Sequence, residues 1–580
     1  MKRAASHLRL ENGSRVGVIG AGPGGAFFSY FLLQMAGRVR LRLHVDIYDP
    51  RDFSQPAPHG CNMCGGIISE SLVQALAAEG IHLPVTVMHR RIDSYVLHMD
   101  VGSVRIDTPL REKRIAAVHR GGGPRGVKEV YHSFDAYLLD LALRKGASLI
   151  RDRVDGIRLD NSRPWIRTQA GREESYDLLA VAIGVNSSAL KLFEGAGLSY
   201  RPPKSTKAYI CEFYLGRELM KQYLGDSMHV FLLNIPRLEF AAIIPKSDYA
   251  TVCLLGDDID KELVESFLTS PEVKQCMPPH WQRPDDFCRC SPRISIQNAQ
   301  EPFADRMVFV GDCGATRLYK DGIGAAYRTA KAAALTAVFD GISAENLRRR
   351  YKPACQAITT DNLLGKLVFA VTRLIQKAQF ARRGVWRMVS GEQRKEGGRR
   401  RLSLILWDTF TGSAPYKSIL QRSLHPIFIG QLLWNMVAGV RPISASPRRR
   451  RIAMATGVSG LLGKKYKEGE IIYRQGDVGD CMYAVQGGEV QLLRRQQEKE
   501  SCLAVLRSGD FFGERALFEE EIRSATARAL TDVWVFTLEK DSFLHRIHED
   551  PSLAFRIIER MSHRIQQLES ALVSQASVPS

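Results

Sequence analysis

A glycine-rich turn between an apolar strand and an apolar helix constrains the N-terminal fold more than any other feature of this sequence. The segment "RVGVIGAGPGGAFF" places Gly20, Gly22 and Gly25 after a buried-strand pattern and before the helical stretch "AFFSYFLLQMA". The first glycine permits a tight bend, the second lets a phosphate approach the backbone, and the third lets helix and strand pack closely. The pattern therefore predicts a dinucleotide-binding βαβ unit.

A second strand supports this prediction. The segment "LHVDIYDP" ends in Asp49, where a carboxylate is well placed to accept a ribose hydroxyl. Strand-like and helix-like stretches then alternate to about residue 345. We expect a first domain over residues 1–345 with an α/β (Rossmann-like) fold and an inserted β-rich substrate domain.

The segment from Asp305, "DRMVFVGDCGATRLYKDGIGAAYRTAKAAALTA", predicts a strand ending at Gly311, then a loop and a helix beginning near Gly322. It resembles the second FAD motif of the geranylgeranyl reductase and aromatic hydroxylase superfamily. The resemblance implies an FAD-dependent oxidoreductase in which Asp312 holds the ribityl chain. It also implies that the helix N-terminus at Gly322 and Gly324 faces the flavin. A second full dinucleotide motif is not evident, so NAD(P)H would be a transient electron donor.

A cysteine-glycine loop extends the resemblance, which covers about residues 15–345. "HGCNMCGGII" is similar to the Cys-Gly-Gly loop of the geranylgeranyl reductases and places Cys64 at the matching position. By this resemblance Cys64 is the candidate catalytic residue. "YHSFDAYLLDLALRKGA" is similar to the family's Phe-Asp helix at Phe134 and Asp135, although Tyr131 stands where the family has arginine.

Two departures from the family concern the substrate. The family's aspartate in its Gly-Ala-Asp-Gly-Ala-Asn-Ser motif is Ile183 in "YDLLAVAIGVNSS". An aromatic signature is reduced to Phe240, Ala242 and Ile244 in "EFAAIIP". Because those aromatic residues are expected to line the cavity over the flavin, the resemblance implies the fold without identifying the small-molecule or lipid substrate. The same departure disfavours the flavin-dependent halogenases.

The spacing of four cysteines leaves three interpretations open. Cys61 and Cys64 form a CxxC pair, and Cys288 and Cys290 form a CxC pair. The first pair can exchange electrons with a flavin, the two pairs can meet as four thiolate ligands for zinc or an iron–sulfur cluster, or all four can be packed thiols. None of the 14 histidines lies in a pattern that strengthens the metal interpretation, so we predict no metal site.

The formal net charge of +19 is concentrated in the middle of the chain. Residues 366–451 contain 18 Lys and Arg against three acidic residues, in a helical pattern. We expect residues 346–450 to form a basic helical segment ending in a linker. Either residues 365–440 lie on an anionic membrane surface with Trp386, Trp407 and Trp434 at the interface, or the segment is a helical cap with solvated arginines.

The N-terminus and the cysteine count predict where the protein is located. The N-terminal residues contain no apolar run typical of a signal peptide, and the 11 cysteines are an odd number scattered through a large chain. We therefore expect a cytoplasmic protein, with peripheral contact to the inner face of the membrane as the alternative. The longest charge-free apolar stretch, residues 423–440, contains His, Pro, Gln and Asn, so we do not expect a spanning helix.

A second nucleotide motif lies near the C-terminus, in short strand-like pieces separated by Gly and Asp turns. "FGERALFEEEIRSATA" resembles the phosphate-binding cassette of cyclic-nucleotide-binding domains. The resemblance implies an all-β roll with flanking helices over residues 456–575 that binds cAMP or cGMP. Glu514 would accept the ribose 2′-hydroxyl and Arg523 would pair with the cyclic phosphate. The implied cassette comprises Gly513, Glu514, Ala516, Leu517, Arg523 and Ser524.

The two motifs together predict an FAD-dependent oxidoreductase regulated by a cyclic nucleotide. We expect coupling through the C-terminal helix, over residues 552–572, and the 441–456 linker. The alternatives are a flavin-based redox sensor whose output is a partner contact, and a flavin monooxygenase. One helix follows the β-roll where catabolite activator proteins have a helix-turn-helix, so we expect no DNA-binding domain.

Overall fold

The computed structural model describes residues 8–540 apart from 62, 109–111, 161–162, 195–196, 396–399, 441–460, 497–498 and 519–521, together with scattered positions from 543 to 566. The chain divides into two units. The first comprises Met1–Ser69, Thr86–Asp107 and Ala117–Thr456, and the second comprises Glu70–Val85, Thr108–Ala116 and Gly457–Ser580. The predicted 441–456 linker and most of the predicted helix over 552–572 lie outside the described residues.

The secondary structure before the C-terminal β-roll alternates between strands and helices. The strands are β1 (Ser14–Ile19), β2 (Leu43–Tyr48), β3 (Ile67–Ile68), β4 (Arg90–Ile92), β5 (Ser94–Met99), β6 (Gly102–Asp107), β7 (Ile115–Ala117), β8 (Ser148–Ile150), β9 (Val154–Asp160), β10 (Arg163–Thr168), β11 (Glu173–Ser175), β12 (Leu178–Val181), β13 (Lys204–Lys207), β14 (Tyr209–Tyr214), β15 (Ser227–Phe231), β16 (Leu238–Lys246), β17 (Tyr249–Gly256), β18 (Cys288–Cys290), β19 (Arg293–Gln297), β20 (Phe303–Ala304) and β21 (Met307–Phe309). The helices are α1 (Pro23–Arg38), α2 (Glu70–Ala78), α3 (Phe134–Arg144), α4 (Lys191–Glu194), α5 (Arg217–Tyr223), α6 (Lys261–Leu268), α7 (Pro271–Lys274), α8 (Gly322–Leu335), α9 (Ala344–Lys377), α10 (Gln379–Arg394), α11 (Arg401–Thr411), α12 (Tyr416–Ser423) and α13 (Pro426–Ala438).

A mostly parallel sheet of six strands carries the predicted glycine-rich turns of the first unit. Its strand order is β20-β21-β12-β1-β2-β8, and all neighbours are parallel except β20 and β21. The central strand β1 pairs in register with both neighbours, for example Val16 with Leu178 and with Val45. Its inner residues are buried, as expected for a parallel strand covered on both faces. The apolar run before Gly20 is therefore the middle of the sheet.

A second sheet carries the inserted β-rich part, in the order β18-β14-β17-β16-β15-β5-β6. Side chains alternate between its two faces, which we name after one residue each. The Phe231 face packs its apolar side chains against α6 and α7. The Lys246 face carries the three residues of the reduced aromatic signature, Phe240, Ala242 and Ile244, with Glu212 and Cys253 on neighbouring strands.

The basic helical segment, α9 to α13, belongs to the first unit and holds the loop that precedes α8. Asn362 on α9 accepts from the Leu318 amide at 2.8 Å and donates to the Thr316 carbonyl at 2.8 Å. The Tyr416 hydroxyl on α12 donates to the Leu318 carbonyl at 2.6 Å. The segment therefore fixes loop 316–321, which leads into the second glycine-rich helix.

The C-terminal part of the second unit is a β-roll of two sheets, as predicted. The sheets have the orders β22-β29-β24-β27 and β23-β28-β25-β26, and their apolar faces form one core. The elements are β22 (Lys464–Tyr466), β23 (Ile471–Tyr473), β24 (Cys481–Gly487), β25 (Val490–Gln496), β26 (Lys499–Leu506), β27 (Phe511–Phe512), α14 (Arg515–Phe518), β28 (Thr526–Ala529) and β29 (Val533–Glu539).

Two segments from the first part of the chain also belong to the second unit, which the sequence did not indicate. Arg114 is 1% exposed and forms ion pairs with Glu70 on α2 and with Glu112. It also donates to the Thr537 carbonyl on β29 at 2.9 Å, and its guanidinium lies over the Phe536 ring. A buried ionic cluster therefore anchors these segments within the unit.

Candidate functional sites

The first glycine-rich turn has the geometry that its sequence predicts. Gly20 has φ +102°, and a Cβ there would lie 2.5 Å from the Ala182 carbonyl oxygen. A Cβ on Gly25 would lie 1.8 Å from the Gly20 carbonyl oxygen. Gly22 is the N-cap of α1 and forms no side-chain cap. The turn thus leaves the N-terminal amides of α1 available to an anionic group at the carboxyl edge of the sheet.

Asp49 lies at the same edge, directly after β2, and is 2% exposed. One carboxylate oxygen accepts from the Ala21 amide at 2.9 Å, and Arg51 forms an ion pair with the carboxylate at 2.9 Å. The structure therefore brings Asp49 to the glycine turn. A ribose hydroxyl would share its oxygens with Arg51.

The second predicted motif starts at the end of β21 in the same sheet. Gly311 has φ +69°, and its amide donates to the Thr329 hydroxyl of α8 at 3.0 Å. Asp312 follows, and loss of hydration raises the pKa of its carboxyl group. Because β21 runs parallel to β12 and β1, Asp312 lies at the same edge as Asp49.

Helix α8 begins at Gly322 after Asp321, whose backbone is left-handed with φ +53°. A Cβ on Gly324 would lie 2.3 Å from an Asp321 carboxylate oxygen. That carboxylate accepts from the Ser69 hydroxyl at 2.6 Å and pairs with Arg328 at 3.1 Å. The negative charge at this helix N-terminus is thus balanced by Arg328.

Helices α1 and α8 pack side by side through aromatic contacts. The rings of Phe27 and Phe31 meet the ring of Tyr327 edge-on, with centroids 5.5 and 5.3 Å apart. Each helix follows a strand of the parallel sheet, so both N-termini lie at its carboxyl edge. The predicted glycines therefore lie at one edge of the sheet.

The Cys-Gly-Gly loop lies against the Lys246 face of the second sheet. A Cβ on Gly65 would lie 2.9 Å from the Cys253 sulfur atom. Gly66 has φ +69°, and its Cβ would lie 2.1 Å from the Val118 carbonyl oxygen and 2.9 Å from the Lys246 ammonium. Both positions therefore require glycine, which explains the motif through close packing.

Cys64 is half-buried beside a fixed cation that the sequence analysis missed. Arg120 forms a bidentate ion pair with the buried Asp135, at 2.9 and 2.8 Å. Burial opposes the charge, but the attraction of Asp135 and Cys64 raises the pKa of Arg120. The positive charge of Arg120 also opposes the rise in the pKa of Asp312 that burial causes. The Phe-Asp helix thus positions an arginine from another segment.

A polar cluster lies next to Gly66 on the Lys246 face. The buried Lys246 ammonium is 3.4 Å from a carboxylate oxygen of Glu212, which also accepts from the Thr251 hydroxyl at 2.7 Å. His119 Nδ1 is 3.9 Å from the same oxygen, and burial lowers the pKa of His119 well below its usual value. The Nε2 atom of His119 has no hydrogen-bond partner among the described residues. The cluster thus combines a charge pair with a neutral imidazole.

Lys320, in the loop before α8, adds an amine to the same face. Its Nζ lies 3.6 Å from the centre of the Phe240 ring. Burial lowers the pKa of Lys320 well below its usual value, and the charge of Cys253 opposes this shift in the pKa of Lys320. Lys320 and the Lys246 cluster do not stand out in the sequence, because lysines within strands and loops are usually solvated.

The structure brings Cys61 close to the CxC strand. The charge of Cys288 acts on Cys61, and the charge of Cys61 acts on Cys290. All four motif cysteines are free thiols. Burial raises the pKa of Cys61 to about 11, which disfavours a reactive thiolate. Among the described residues, the group whose ligand atoms all lie within reach of one metal ion is His98, His229 and Cys276 instead.

The predicted cyclic-nucleotide cassette lines a pocket of about 110 Å³. Predicted cassette residues that line it are Gly513, Glu514, Ala516, Arg523 and Ser524. Leu517 is buried, and its amide donates to the Glu514 carbonyl at 3.0 Å. The Ala516 amide donates to the Gly513 carbonyl at 3.3 Å. A phosphate bound in the pocket would therefore share the Ala516 and Leu517 amides with the Gly513 and Glu514 carbonyls.

Arg523 is 6% exposed and held by backbone carbonyls. It donates to the Gly513 carbonyl at 3.0 Å and to the Cys481 carbonyl at 2.7 Å, and its guanidinium lies over the Tyr473 ring. A Cβ on Gly479 would lie 2.7 Å from its central carbon, so this glycine makes room for the arginine. These two carbonyls engage two of the five N–H donors of the Arg523 guanidinium.

The basic segment places its tryptophans differently from the predicted membrane interface. Trp407 is 1% exposed and packs against Tyr95, so its prediction as an interfacial residue is wrong. Trp386 is partly buried, and its indole N–H donates to the Ser103 carbonyl at 3.4 Å. Trp434 on α13 is 75% exposed. Two of the three tryptophans therefore serve packing.

The helices that the structure describes include none that combines the length and apolar character needed to cross a membrane.

Comparison with known proteins identifies the β-roll. A model of the family "Cyclic nucleotide-binding domain" matches residues 463–550. The Cyclic AMP receptor protein of Thermus thermophilus is 33% identical over 108 residues, which cover 18% of this chain and 50% of that protein. The cAMP-dependent protein kinase regulatory subunit of Schizosaccharomyces pombe is 36% identical over 78 residues, which cover 13% of this chain and 18% of that protein. The chain thus spans at most half the length of these relatives.

Solved structures similar to this chain include a flavoprotein/dehydrogenase from Cytophaga hutchinsonii, with 13% identity and a TM-score of 0.47 over 73% of this chain and 98% of that one. The halogenase PltM has 13% identity and a TM-score of 0.47, and the match covers 73% of this chain and 94% of the halogenase chain. For the second unit the family match and the lined pocket agree: residues 463–550 form a cyclic nucleotide-binding domain.

Proposed function

We propose that this protein is an FAD-dependent oxidoreductase, similar to the geranylgeranyl reductases, whose activity responds to cAMP or cGMP. The observation that carries the proposal is the pair of helices α1 and α8, which start from glycine-rich turns at one edge of the parallel sheet. One turn supplies helix amides beside Asp49, and the other supplies Asp312. This arrangement is suited to a long dinucleotide that spans both turns.

The residues present fit FAD. The spaces beside Gly20 and Gly25 are too small for any side chain, so backbone amides form the wall that a pyrophosphate would approach. Asp49 would accept a ribose hydroxyl and Asp312 would hold the ribityl chain. When bound, FAD supplies hydride or single-electron transfer. NAD(P)H is the proposed transient electron donor.

The Lys246 face favours a substrate with an apolar body and one polar end. Phe240, Ala242 and Ile244 offer an apolar surface on β16, and the polar cluster follows at Lys246 on the same strand. His119 is neutral at physiological pH, so its unpartnered Nε2 can donate or accept a hydrogen bond. We therefore propose a lipid or small hydrophobic molecule with a polar head, oriented by Lys246 and His119.

Lys320 is the proposed proton-handling residue. Its lowered pKa favours the neutral amine, which can accept a proton and return it. The Phe240 ring beneath its Nζ and the groups of α9 to α12 that fix loop 316–321 hold it in place. Cys64, beside Arg120 in the Cys-Gly-Gly loop that lies against the Lys246 face, is the proposed catalytic thiol.

Regulation would act where the chain passes between its two units. Ser69 donates to Asp321 at the start of α8, and the next residue, Glu70, is paired with Arg114 in the cluster that includes Thr537 on β29. A change in the β-roll on nucleotide binding would reach α8 along this covalent path. The path supplements the proposed routes through the C-terminal helix and the linker.

The test of the enzyme proposal is the visible spectrum of the purified full-length protein during anaerobic NADPH addition, with and without cAMP or cGMP. We expect bound flavin that NADPH bleaches, at a rate that one cyclic nucleotide changes. Absence of flavin after reconstitution with FAD would refute the proposal. Bound flavin that is reduced without turnover of any hydrophobic substrate would favour the alternative, a redox sensor, and oxygen-dependent product formation would favour a monooxygenase.

A second proposal concerns contact with an anionic membrane surface through the basic segment. Leu363, Leu367, Val371 and Leu374 recur at helical spacing on α9, and all four are exposed. On α13, Trp434 and Val437 are exposed, at 75% and 69%. Apolar side chains together with the local excess of Lys and Arg are typical of a helix that lies in the headgroup region.

The membrane proposal is tested by sedimentation with vesicles. The wild type should bind vesicles that contain phosphatidylserine more strongly than vesicles of phosphatidylcholine alone, and added salt should weaken the binding. Trp434→Ala should weaken it at unchanged melting temperature. Equal binding to both vesicle types would refute the proposal.

A further inference from the structure

Three buried side chains converge in the second sheet, away from the proposed flavin and cyclic-nucleotide sites. His98, His229 and Cys276 are 5%, 1% and 1% exposed. The His98 Nε2 atom lies 2.9 Å from the His229 Nδ1 atom. The Cys276 sulfur lies 3.6 Å from the first of these nitrogens and 3.5 Å from the second. All three ligand atoms therefore point at one small volume.

The sheet register explains the convergence. Strands β5 and β15 are parallel neighbours in which His98 pairs with Phe231, two residues beyond His229. Both histidines therefore project from the Phe231 face, and Cys276 approaches that face two residues after α7. These positions are widely separated in the sequence, so no spacing motif could reveal them.

Each histidine has its outer nitrogen bonded to an oxygen atom. The His229 Nε2 atom donates to the Leu224 carbonyl at 3.2 Å, because a carbonyl can only accept. The His229 Nδ1 atom therefore presents its lone pair to the cluster. The His98 Nδ1 atom lies 2.8 Å from the Ser103 hydroxyl, which can accept its proton and leave Nε2 as a ligand atom. Metal-binding histidines are oriented in this way.

Two of the three separations between the ligand atoms match those in a tetrahedral zinc site. Zinc binds histidine nitrogen at about 2.0–2.1 Å and cysteine sulfur at about 2.3 Å, so two tetrahedral ligands lie about 3.3 Å apart for two nitrogens and about 3.6 Å apart for nitrogen and sulfur. The two observed sulfur–nitrogen distances, 3.6 and 3.5 Å, agree with this geometry. The nitrogen–nitrogen distance of 2.9 Å requires the rings to separate by a few tenths of an ångström.

We propose that His98, His229 and Cys276 bind one zinc ion. Two imidazoles and one thiolate form a donor set suited to zinc and unsuited to magnesium or calcium, which prefer oxygen. Cys276 releases its thiol proton to solvent when the metal binds. Three protein ligands leave one position for a water molecule.

The site lies on the Phe231 face, opposite Phe240 and Lys246, so its role is structural. Zinc would tie the segment after α7 to β5 and β15. It would thereby hold together the sheet that carries the proposed substrate face.

The alternative is a metal-free network. In it His98 donates from Nε2 to His229 Nδ1, the Ser103 hydroxyl donates to His98, and the Cys276 thiol donates to the Glu272 carbonyl at 3.5 Å. Both states satisfy the polar groups, so measurement of bound metal decides between them.

The test uses untagged full-length protein, purified without metal-affinity steps and dialysed against a weak chelator. Elemental analysis should find about one zinc per chain in the wild type. Cys276→Ser and His229→Gln should each lose most of it. The matched control is Cys211→Ser, because Cys211 is a buried cysteine on the same face. Its zinc content should equal that of the wild type, and the far-ultraviolet circular dichroism spectrum should report folding of all three variants.

X-ray absorption at the zinc edge of the wild type provides a measurement that needs no variant. The proposal predicts one sulfur and two imidazole nitrogens in the coordination shell. Metal-free wild type that takes up neither zinc nor cobalt would overturn the proposal. It would also be overturned by a shell of two or more sulfurs, or by unchanged zinc content in Cys276→Ser and His229→Gln.

Discussion

The hydroxyl of Ser69 donates a 2.6 Å hydrogen bond to the carboxylate of Asp321, the residue that precedes helix α8. Ser69 is 1% exposed, and Glu70 beside it belongs to the buried cluster around Arg114. Hydrogen bonds to charged groups contribute about 1.5–3 kcal/mol. The contact therefore ties the start of α8 to the peptide bond at which the chain enters the second unit.

Ser69→Ala should reduce regulation without abolishing either ligand site. The effect of cAMP on the rate of flavin reduction should fall several-fold, because the hydrogen bond from Ser69 to Asp321, at the start of α8, is lost. The dissociation constant of cAMP, measured by calorimetry, should change less than about threefold, since binding uses residues of the cassette. An unchanged response to cAMP would show that coupling follows another route.

The glycine turn gives a prediction with a matched neighbour as its control. A Cβ on Gly25 would lie 1.8 Å from a backbone oxygen, whereas a Cβ on Gly24 would lie 3.5 Å from the nearest atom, an ordinary contact. Gly25→Ala should therefore lose nearly all bound flavin, because helix α1 must move away from Gly20. Gly24→Ala should retain flavin, as measured by absorbance after denaturation. Equal flavin content in the two variants would contradict this reading of the turn.

Much of the candidate site around the glycine turns can be predicted from the sequence, because each of its elements has a local sequence pattern. Apolar runs followed by glycine turns fix the position of Gly20 and Gly311 after strand ends and of Gly25 in the first turn of α1. The sheet topology then brings Asp49 and Asp312 to one edge. The cassette residues were predictable for the same reason, since they lie in one short segment.

The residues that sequence analysis missed are assembled by tertiary packing. Lys246 and Glu212 meet because β14, β17 and β16 are adjacent, and Arg120 reaches Cys64 from a separate loop. Trp407 illustrates the opposite error. An aromatic residue within a basic helical stretch suggests a membrane interface, but α11 buries it against Tyr95. Local composition does not reveal which helix face is covered.

Lys320 makes stability depend on pH. Its pKa is lower in the folded protein than its usual value of 10.5, so between these two values the unfolded chain binds the additional proton. The free energy of unfolding therefore decreases as the pH falls through this interval. Lys320→Met should raise the melting temperature at neutral pH and flatten its pH dependence. Scanning calorimetry checks this, and Lys261→Met, at an exposed lysine, should leave both properties unchanged.

In the same Lys320→Met variant, the rate of substrate turnover should fall and lose its dependence on the amine's protonation. The rate of flavin reduction by NADPH should change less, because hydride transfer needs orientation rather than this amine. Full activity with an unaltered pH profile would remove Lys320 from the mechanism.

Arg523 should control the affinity for cyclic nucleotides. Its guanidinium offers several parallel donors to a phosphate, whereas lysine offers a point charge. Arg523→Lys should weaken cAMP binding about 10- to 100-fold, as expected when a charge-assisted hydrogen bond worth about 1.5–3 kcal/mol is lost. Calorimetry measures the affinity, and the melting temperature without nucleotide reports the loss of the bonds to Gly513 and Cys481. Arg528→Lys is the matched control, because Arg528 pairs with Glu500 outside the pocket and its replacement should leave cAMP affinity unchanged. If Arg523→Lys binds cAMP as tightly as the wild type, the phosphate is held elsewhere, and the pocket's role must be assigned to other residues.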